Sequence, residues 1–206
     1  MPGDMTGGAY STEDIIWKMM GRPRNATQQN IAARSNVWFT GYSAAVDLAA
    51  TATKKGMFSA VPVQEGDVIT KVSSFIGATE GKTGVKSFVA VYEGTTAKTE
   101  AKLLGQSKVK EVAIKPKLIL TEELEKALLI TSTNAPNGYV FVGLITEATT
   151  LPTQVGVEIP VACQKSYFAA MPEAFALELE QKEPGVSAAL LKTETAIAKV
   201  PFYFLT

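Results

Sequence analysis

The sequence contains no histidine, and this absence removes more chemistry than any other feature of the composition. Histidine is the commonest general base near neutral pH and the commonest metal ligand. Ser-His-Asp and Cys-His catalysis are therefore excluded. Because the chain also has only one cysteine, it cannot build a usual four-ligand zinc site. From these absences we predict that the protein is not an enzyme and holds neither a metal nor another cofactor.

The lone cysteine, Cys163, cannot form a disulfide within the chain, so the redox compartment stays open. We expect its thiol to be buried or half-buried. The first eight residues lack the basic and apolar regions of a secretory signal, so export by that route is not expected. No apolar run reaches the roughly 18 residues that a membrane-spanning helix needs, and we therefore expect no membrane partner.

Charge is balanced along the chain, with 20 basic and 20 acidic residues and no block of five or more like charges. The nearest approach to a basic cluster is Arg22, Arg24 and Arg34, which is sparse and interrupted. Nucleic-acid binding depends on a basic face that releases counterions from phosphates. The sequence therefore predicts no nucleic-acid partner.

Residues 1–36 have the character of an arm. Residues 11–14, Ser-Thr-Glu-Asp, provide a helix N-cap and an acidic first turn, and Gly21 provides a stop. This pattern predicts a short helix at about residues 12–20. Such a helix is unstable alone in water, so either the parent domain or another subunit must cover its apolar side chains. The residues predicted to anchor the arm to a partner are Ile15, Ile16, Trp17, Met19 and Met20.

Residues 37–206 are predicted to form one all-β domain, because short runs of β-branched and aromatic residues recur between clusters of turn residues. So many antiparallel strands favour two packed sheets over one open sheet. We therefore predict a β-sandwich. The predicted strands are residues 37–42, 56–63, 67–76, 85–92, 103–107, 112–120, 127–131, 139–146, 155–161, 167–171 and 198–205.

A few segments depart from this pattern. Residues 121–127 are typical of a capped helical turn that connects two strands. Residues 175–181 favour either a strand or an extended loop. Pro62 places its strand at a sheet edge or interrupts it. The alternating pairs Lys108 with Lys110 and Lys115 with Lys117 predict the solvent side of a strand.

The glycine-rich connection at residues 77–84 ends in Gly81-Lys82-Thr83-Gly84, which copies part of a phosphate-binding loop. That motif requires a further glycine where this chain has Ile76, and it requires a helix after the loop. Residues 85–92 are instead typical of a strand. We therefore predict a connecting loop and not a nucleotide site.

A pair of carboxylates could form a glycosidase site, because glycoside hydrolysis requires two of them and no histidine. Asp67, Glu80, Glu93 and Glu147 all lie near predicted strand ends, but no spacing selects a pair. Carboxylates at strand ends are equally typical of solvated loops. Exposed aromatic side chains could stack on sugars without leaving a motif, although we expect most Phe and Tyr side chains in the core.

The layout of the chain resembles the jelly-roll β-sandwich domains of decoration, minor tail and other virion structural proteins of tailed bacteriophages. The likeness lies in a Gly- and Thr-rich arm followed by short strands, and it spans roughly residues 37–206. No single motif carries it. The stretches concerned include residues 69–76, 89–94, 138–146 and 149–153, and the aromatic ending at residues 201–205.

This resemblance implies a structural role in a virion that is assembled in the host cytoplasm. The jelly roll would face outward and the N-terminal arm would tether it to a capsid or tail lattice, where repetition adds avidity. A homo-oligomer is implied, since closed symmetry is the usual outcome. The alternative is a receptor-binding module that recognises host-surface glycans, and a glycosidase is a third hypothesis.

Overall fold

The computed structural model describes residues 45–50, 52–94, 102–159 and 198–206, and the backbone alone of residues 34–35, 101, 176–180, 190–191 and 195–196. Every regular element in these ranges is a strand, so the all-β prediction is confirmed for the described residues. The strands are β1 (Arg34–Ser35), β2 (Val46–Ala49), β3 (Lys55–Pro62), β4 (Val68–Phe75), β5 (Lys86–Glu93), β6 (Ala101–Gln106), β7 (Ile119–Leu129), β8 (Tyr139–Glu147), β9 (Thr153–Glu158), β10 (Ala176–Glu180), β11 (Leu190–Leu191), β12 (Thr195–Ala196), β13 (Lys199–Pro201) and β14 (Tyr203–Leu205).

The strands form three sheets, and every pairing between them is antiparallel. The largest has the order β11-β6-β5-β8-β3-β10-β12, the second has the order β1-β14-β4-β7, and the third has the order β13-β9-β2. The two smaller sheets are continuous through the C-terminal strands, because only Phe202 separates β13 from β14.

The centre of the seven-stranded sheet is buried on both faces. β3, β5 and β8 are long runs of apolar residues, and nearly every residue in them is buried. Because side chains alternate along a strand, such runs supply two apolar faces instead of one. One face packs against the four-stranded sheet and forms the main core. Its members include Val61, Val89, Val91, Val140 and Val142 from the large sheet, and Val72, Leu124, Tyr203 and Leu205 from the four-stranded sheet.

The other face of β3, β5 and β8 carries a second buried group, the aromatic cluster. Phe58 lies against Tyr92 with ring centroids 5.3 Å apart, and Tyr139 lies against Phe141 at 5.5 Å, both edge to face. The Phe58 ring occupies the space beside Gly143, where an added Cβ would lie 2.5 Å from a ring carbon. The cluster comprises Phe58, Ala60, Phe88, Ala90, Tyr92, Tyr139, Phe141 and Ile145.

Most predicted strands are found with small shifts in their bounds. They correspond to β3, β4, β5, β6, β8, β9 and the pair β13 and β14. Residues 175–181 contain a strand, β10. Pro62 was predicted to place its strand at a sheet edge or to interrupt it, but β3 lies between β8 and β10 and is not an edge strand. Pro62 is the last residue of β3. It pairs with Tyr139 of β8 and lies beyond the five residues that pair with β10. The predicted strands at residues 37–42 and 167–171 and the predicted helix at residues 12–20 lie outside the described residues.

Two predictions are wrong. Residues 121–127 are not a helical turn, because they belong to β7, whose pairing with β4 supplies hydrogen bonds that an isolated turn lacks. Residues 112–118 are not a strand. Ile114 makes only an isolated bridge to Gly81, and Pro116 has no N–H for a ladder. The four lysines at 108, 110, 115 and 117 are exposed as expected, but on a connection instead of a strand.

Candidate functional site

The glycine-rich connection at residues 77–84 passes from one sheet to another. It leaves β4 in the four-stranded sheet and enters β5 in the seven-stranded sheet. Isolated bridges pair Gly81 with Ile114 and Lys82 with Thr150. Three connections, residues 77–84, 110–118 and 148–152, are thus joined by hydrogen bonds at one end of the sheets.

Backbone donors at the start of this connection are already engaged. The Gly77 N–H donates to the Thr153 carbonyl at 2.8 Å, and the Thr79 N–H donates to the Thr153 hydroxyl at 3.0 Å. The Ala78 N–H donates to Oδ2 of Asp47 at 2.6 Å. A phosphate-binding loop works because such N–H groups point at an anion. In this loop the Asp47 carboxylate and Thr153 of the neighbouring strand β9 accept these hydrogen bonds in place of an anion.

The second half of the connection is engaged in the same way. The Gly81 N–H donates to the Ile114 carbonyl at 2.9 Å, and the Lys82 N–H donates to the Thr150 carbonyl at 3.1 Å. Thr83 and Gly84 have φ values of 55° and 64°, which turn the chain into β5. The geometry agrees with the interpretation of residues 77–84 as a connecting loop.

Asp47 is the residue of this site that sequence analysis missed. It lies on β2, a four-residue strand that was not predicted. Its Oδ2 atom also accepts the Thr153 hydroxyl at 3.3 Å, so one carboxylate ties the loop to β9. Its partner Ala78 is 31 positions away in the sequence, and no local pattern marks so distant a partner.

Replacing Gly77 by alanine is expected to destabilise the fold by about 1–3 kcal/mol, because the new methyl group overpacks a filled space. Its Cβ would overlap the Asp47 carboxylate and lie 2.6 Å from the Thr153 hydroxyl. Urea unfolding followed by circular dichroism measures the loss. Gly105→Ala is the matched control, since its Cβ would meet only Leu124 at 3.6 Å. Equal midpoints for the two variants would contradict the proposed tie.

The four candidate carboxylates are not brought together. Glu80 and Glu147 lie at the end of the sheets where β5 begins, and each pairs with a lysine, Lys82 and Lys54 respectively. Asp67 and Glu93 lie at the opposite end, before β4 and at the end of β5. Asp67 accepts the Gln64 N–H at 2.7 Å within a turn. The strands between the two ends are eight residues long, which separates them by roughly 25 Å.

A carboxylate that was not predicted to matter is the most enclosed one of the described residues. The Glu122 side chain is 3% exposed and points inward from β7, and Lys110 Nζ lies 2.6 Å from its Oε2 atom. Lys110 is itself half-exposed and is held by backbone hydrogen bonds to Ser87. Lys110, on the connection after β6, thus pairs with a buried carboxylate of β7.

Aromatic side chains among the described residues lie mainly in the cores, as expected. Phe75 and Phe204 are the exceptions, half-buried and edge to face at 5.2 Å on the four-stranded sheet. The predicted anchoring residues Ile15, Ile16, Trp17, Met19 and Met20 lie outside the described residues, as does Cys163.

Among the described residues, no group of three or more Cys, Asp or Glu side chains is arranged to hold a metal ion. Within the same part of the chain, no helix has the length and apolar character needed to cross a membrane. Comparison with protein-family models gives no match, and a search of curated proteins finds no significant relative.

Proposed function

We propose that the chain is a non-enzymatic structural protein of a tailed-phage virion, either a capsid decoration subunit or a minor tail subunit. Its body is a jelly-roll-like β-sandwich, and its N-terminal arm, residues 1–36, attaches it to other virion proteins as part of a homo-oligomer. The two packed sheets that share the main core support the sandwich. The resemblance in layout supports the virion role.

The observation that carries the proposal is the pairing of β1 with β14. Arg34 pairs with Leu205 and Ser35 pairs with Phe204, so the last part of the arm is hydrogen-bonded into the four-stranded sheet. β14 is in turn held by β4 and by the buried Tyr203 side chain. A force on the arm is therefore transmitted to the body through a sheet, which suits an arm that serves as a tether.

Deletion of residues 1–33 is expected to leave a folded, monodisperse β domain that no longer joins particles. The deletion stops before β1 and so retains every described pairing. Incorporation is measured by mass spectrometry of purified virions, and the position on intact particles by labelled-antibody electron microscopy. Retained incorporation of the deletion variant would defeat the anchor. Absence of the full-length chain from virions would defeat the proposed function itself.

A matched pair of full-length variants locates the anchor more closely. Serine replacements of Ile15, Ile16, Trp17, Met19 and Met20 are expected to reduce incorporation at least tenfold, because they remove the apolar surface to be buried. Serine replacements of Gln28, Gln29 and Asn30 in the same arm serve as the control and should incorporate normally. Binding of the isolated body to a glycan array would favour the receptor-binding alternative.

A further inference from the structure

The aromatic cluster lies on the face of the seven-stranded sheet that points away from the four-stranded sheet. Its members are nevertheless enclosed: Phe58, Tyr92 and Ile145 are 0% exposed and Tyr139 is 4% exposed. The packed neighbours found among the described residues are Leu103 and Val109, which belong to β6 and the segment after it. A sheet face of this size needs a cover to stay out of water.

The order of the strands in this sheet sets a limit on its shape. β11 lies at one end of the order and β12 lies at the other, so six inter-strand spacings separate them. In a flat sheet six spacings amount to about 29 Å. Only three residues connect Leu191 to Thr195, and a fully extended chain spans roughly 14 Å over that length. A flat sheet is therefore ruled out.

The ends of the sheet can meet only on the aromatic side. On the opposite side the main core and the smaller sheets fill the space. Ser107 after β6 makes a bridge to Leu124 of β7, and Ser59 of β3 donates to the Pro201 carbonyl of β13 at 2.8 Å. Those contacts block any approach of the two ends across the main core.

We propose that the seven-stranded sheet curls through more than half a circle into a barrel-like wall around the aromatic cluster, and that β11 and β12 form the strap that holds it curled. An arc of about 29 Å with ends no more than roughly 14 Å apart requires that much curvature. The pairing of β11 with Ala101 and Lys102 of β6, and of β12 with Leu177 and Glu178 of β10, also covers part of the outer edge of each strand.

The strap has a consequence for self-association, because it occupies edges that would otherwise pair with another chain. In an intact chain the aromatic cluster is enclosed and part of each edge is covered. Loss of either short strand pairing is expected to release the strap, which exposes the aromatic cluster and the edge that the lost strand covered. Strand order and chain length impose this curvature whether or not the protein belongs to a virion.

Thiol labelling of neighbouring positions on β3 tests the strap. Ala60 belongs to the aromatic cluster and Val61 belongs to the main core, so their side chains lie on opposite faces of one strand. Ala60→Cys and Val61→Cys are made separately in a Cys163→Ser background. Each thiol is expected to react at least a hundredfold more slowly than in the urea-unfolded chain.

The strap is then broken by Leu190→Pro or Ala196→Pro, since proline removes a ladder donor. We expect the thiol at position 60 to react at least tenfold faster, the thiol at position 61 to stay protected, and light scattering to detect association. A fast reaction at position 60 in the intact chain would overturn the proposal. So would unchanged protection at position 60 in both proline variants.

A milder variant decides the question if the proline variants unfold. Eight Gly and Ser residues inserted between Thr193 and Glu194 leave both short strands in place but no longer force the sheet ends together. We expect faster labelling at position 60 than in the intact chain, with position 61 unchanged. Labelling at the intact rate would show that the short connection does not hold the sheet curled.

Discussion

A chain that stops after Ala198 is expected to lose cooperative unfolding altogether. The deleted residues form β13 and β14, which complete the three-stranded and the four-stranded sheet respectively. Between them the Phe202 N–H donates to the Val155 carbonyl at 3.0 Å, so the chain passes from one sheet to the other without a free turn. Both smaller sheets therefore lose a strand at the same time.

The buried side chains in these strands give the expected size of the effect. Val200, Phe202, Tyr203 and Leu205 are 0–3% exposed. Full burial of a large apolar side chain contributes about 1.5–3 kcal/mol, so their loss removes about 6–12 kcal/mol. A natural domain has about 5–15 kcal/mol of net stability. The deletion is thus comparable to the whole free energy of unfolding.

Far-UV circular dichroism and urea titration measure the outcome. The control keeps the chain length and changes the half-buried positions of the same strands, as in Lys199→Ser with Phe204→Thr, and this variant should retain a cooperative transition. If the shortened chain unfolds cooperatively near the midpoint of the intact protein, the last strands are not part of the cooperative unit.

The strands of the large sheet could be predicted from the sequence because their signal is local. β3, β5 and β8 are runs of apolar residues bounded by turn residues. Because both faces of these strands are buried, few polar residues interrupt the runs. Part of β7 was wrongly predicted to be a helical turn, because its sequence carries signals for both a helix and a strand. Residues 121–127 carry a helix cap and helix-forming residues, and the register with β4 shifts between Ile69 and Lys71. Pairing with β4 outweighed the local preference.

The loop and its ties could be predicted only in part. The missing glycine and the strand after Gly84 indicated a connection instead of a phosphate site, and the geometry agrees. The partner Asp47 and the membership of β4 and β5 in different sheets depend on contacts between distant residues. Sequence periodicity reports which face of a strand is apolar. It does not report which strand lies beside it.

Removal of the Tyr203 hydroxyl by Tyr203→Phe is expected to cost about 2–4 kcal/mol, since it leaves several buried polar groups unpaired. The hydroxyl accepts the Leu144 N–H at 2.8 Å and donates to the Met57 carbonyl at 3.0 Å, so it lies between two paired residues of β8 and β3. It also accepts Nε2 of Gln154 on β9 at 2.9 Å. One oxygen atom thus joins all three sheets.

Because this hydroxyl is buried, water cannot replace the hydrogen bonds that are lost in Tyr203→Phe. Tyr203 is fully enclosed, and burial raises the pKa of its phenol far above the usual value despite the hydrogen bonds from Gln154 and Leu144. Gln154 also donates to the Ser74 hydroxyl at 2.8 Å, so the network extends to β4. A shift of the Leu144 N–H toward the Met57 carbonyl in the variant would recover part of the lost hydrogen bonding, and this sets the lower end of the expected range.

Tyr139→Phe is the matched control, because it removes a hydroxyl that is also buried but does not bridge the sheets. Burial raises the pKa of Tyr139 to about 12, an effect that the nearby Asn137 amide partly offsets. The hydroxyl nevertheless makes no hydrogen bond of acceptable geometry with a described residue. Thermal unfolding should show a fall of about 5–15 °C for Tyr203→Phe and little change or a small gain for Tyr139→Phe. Equal shifts for the two variants would mean that the hydrogen bonds of the Tyr203 hydroxyl do not contribute measurably to the stability of the fold.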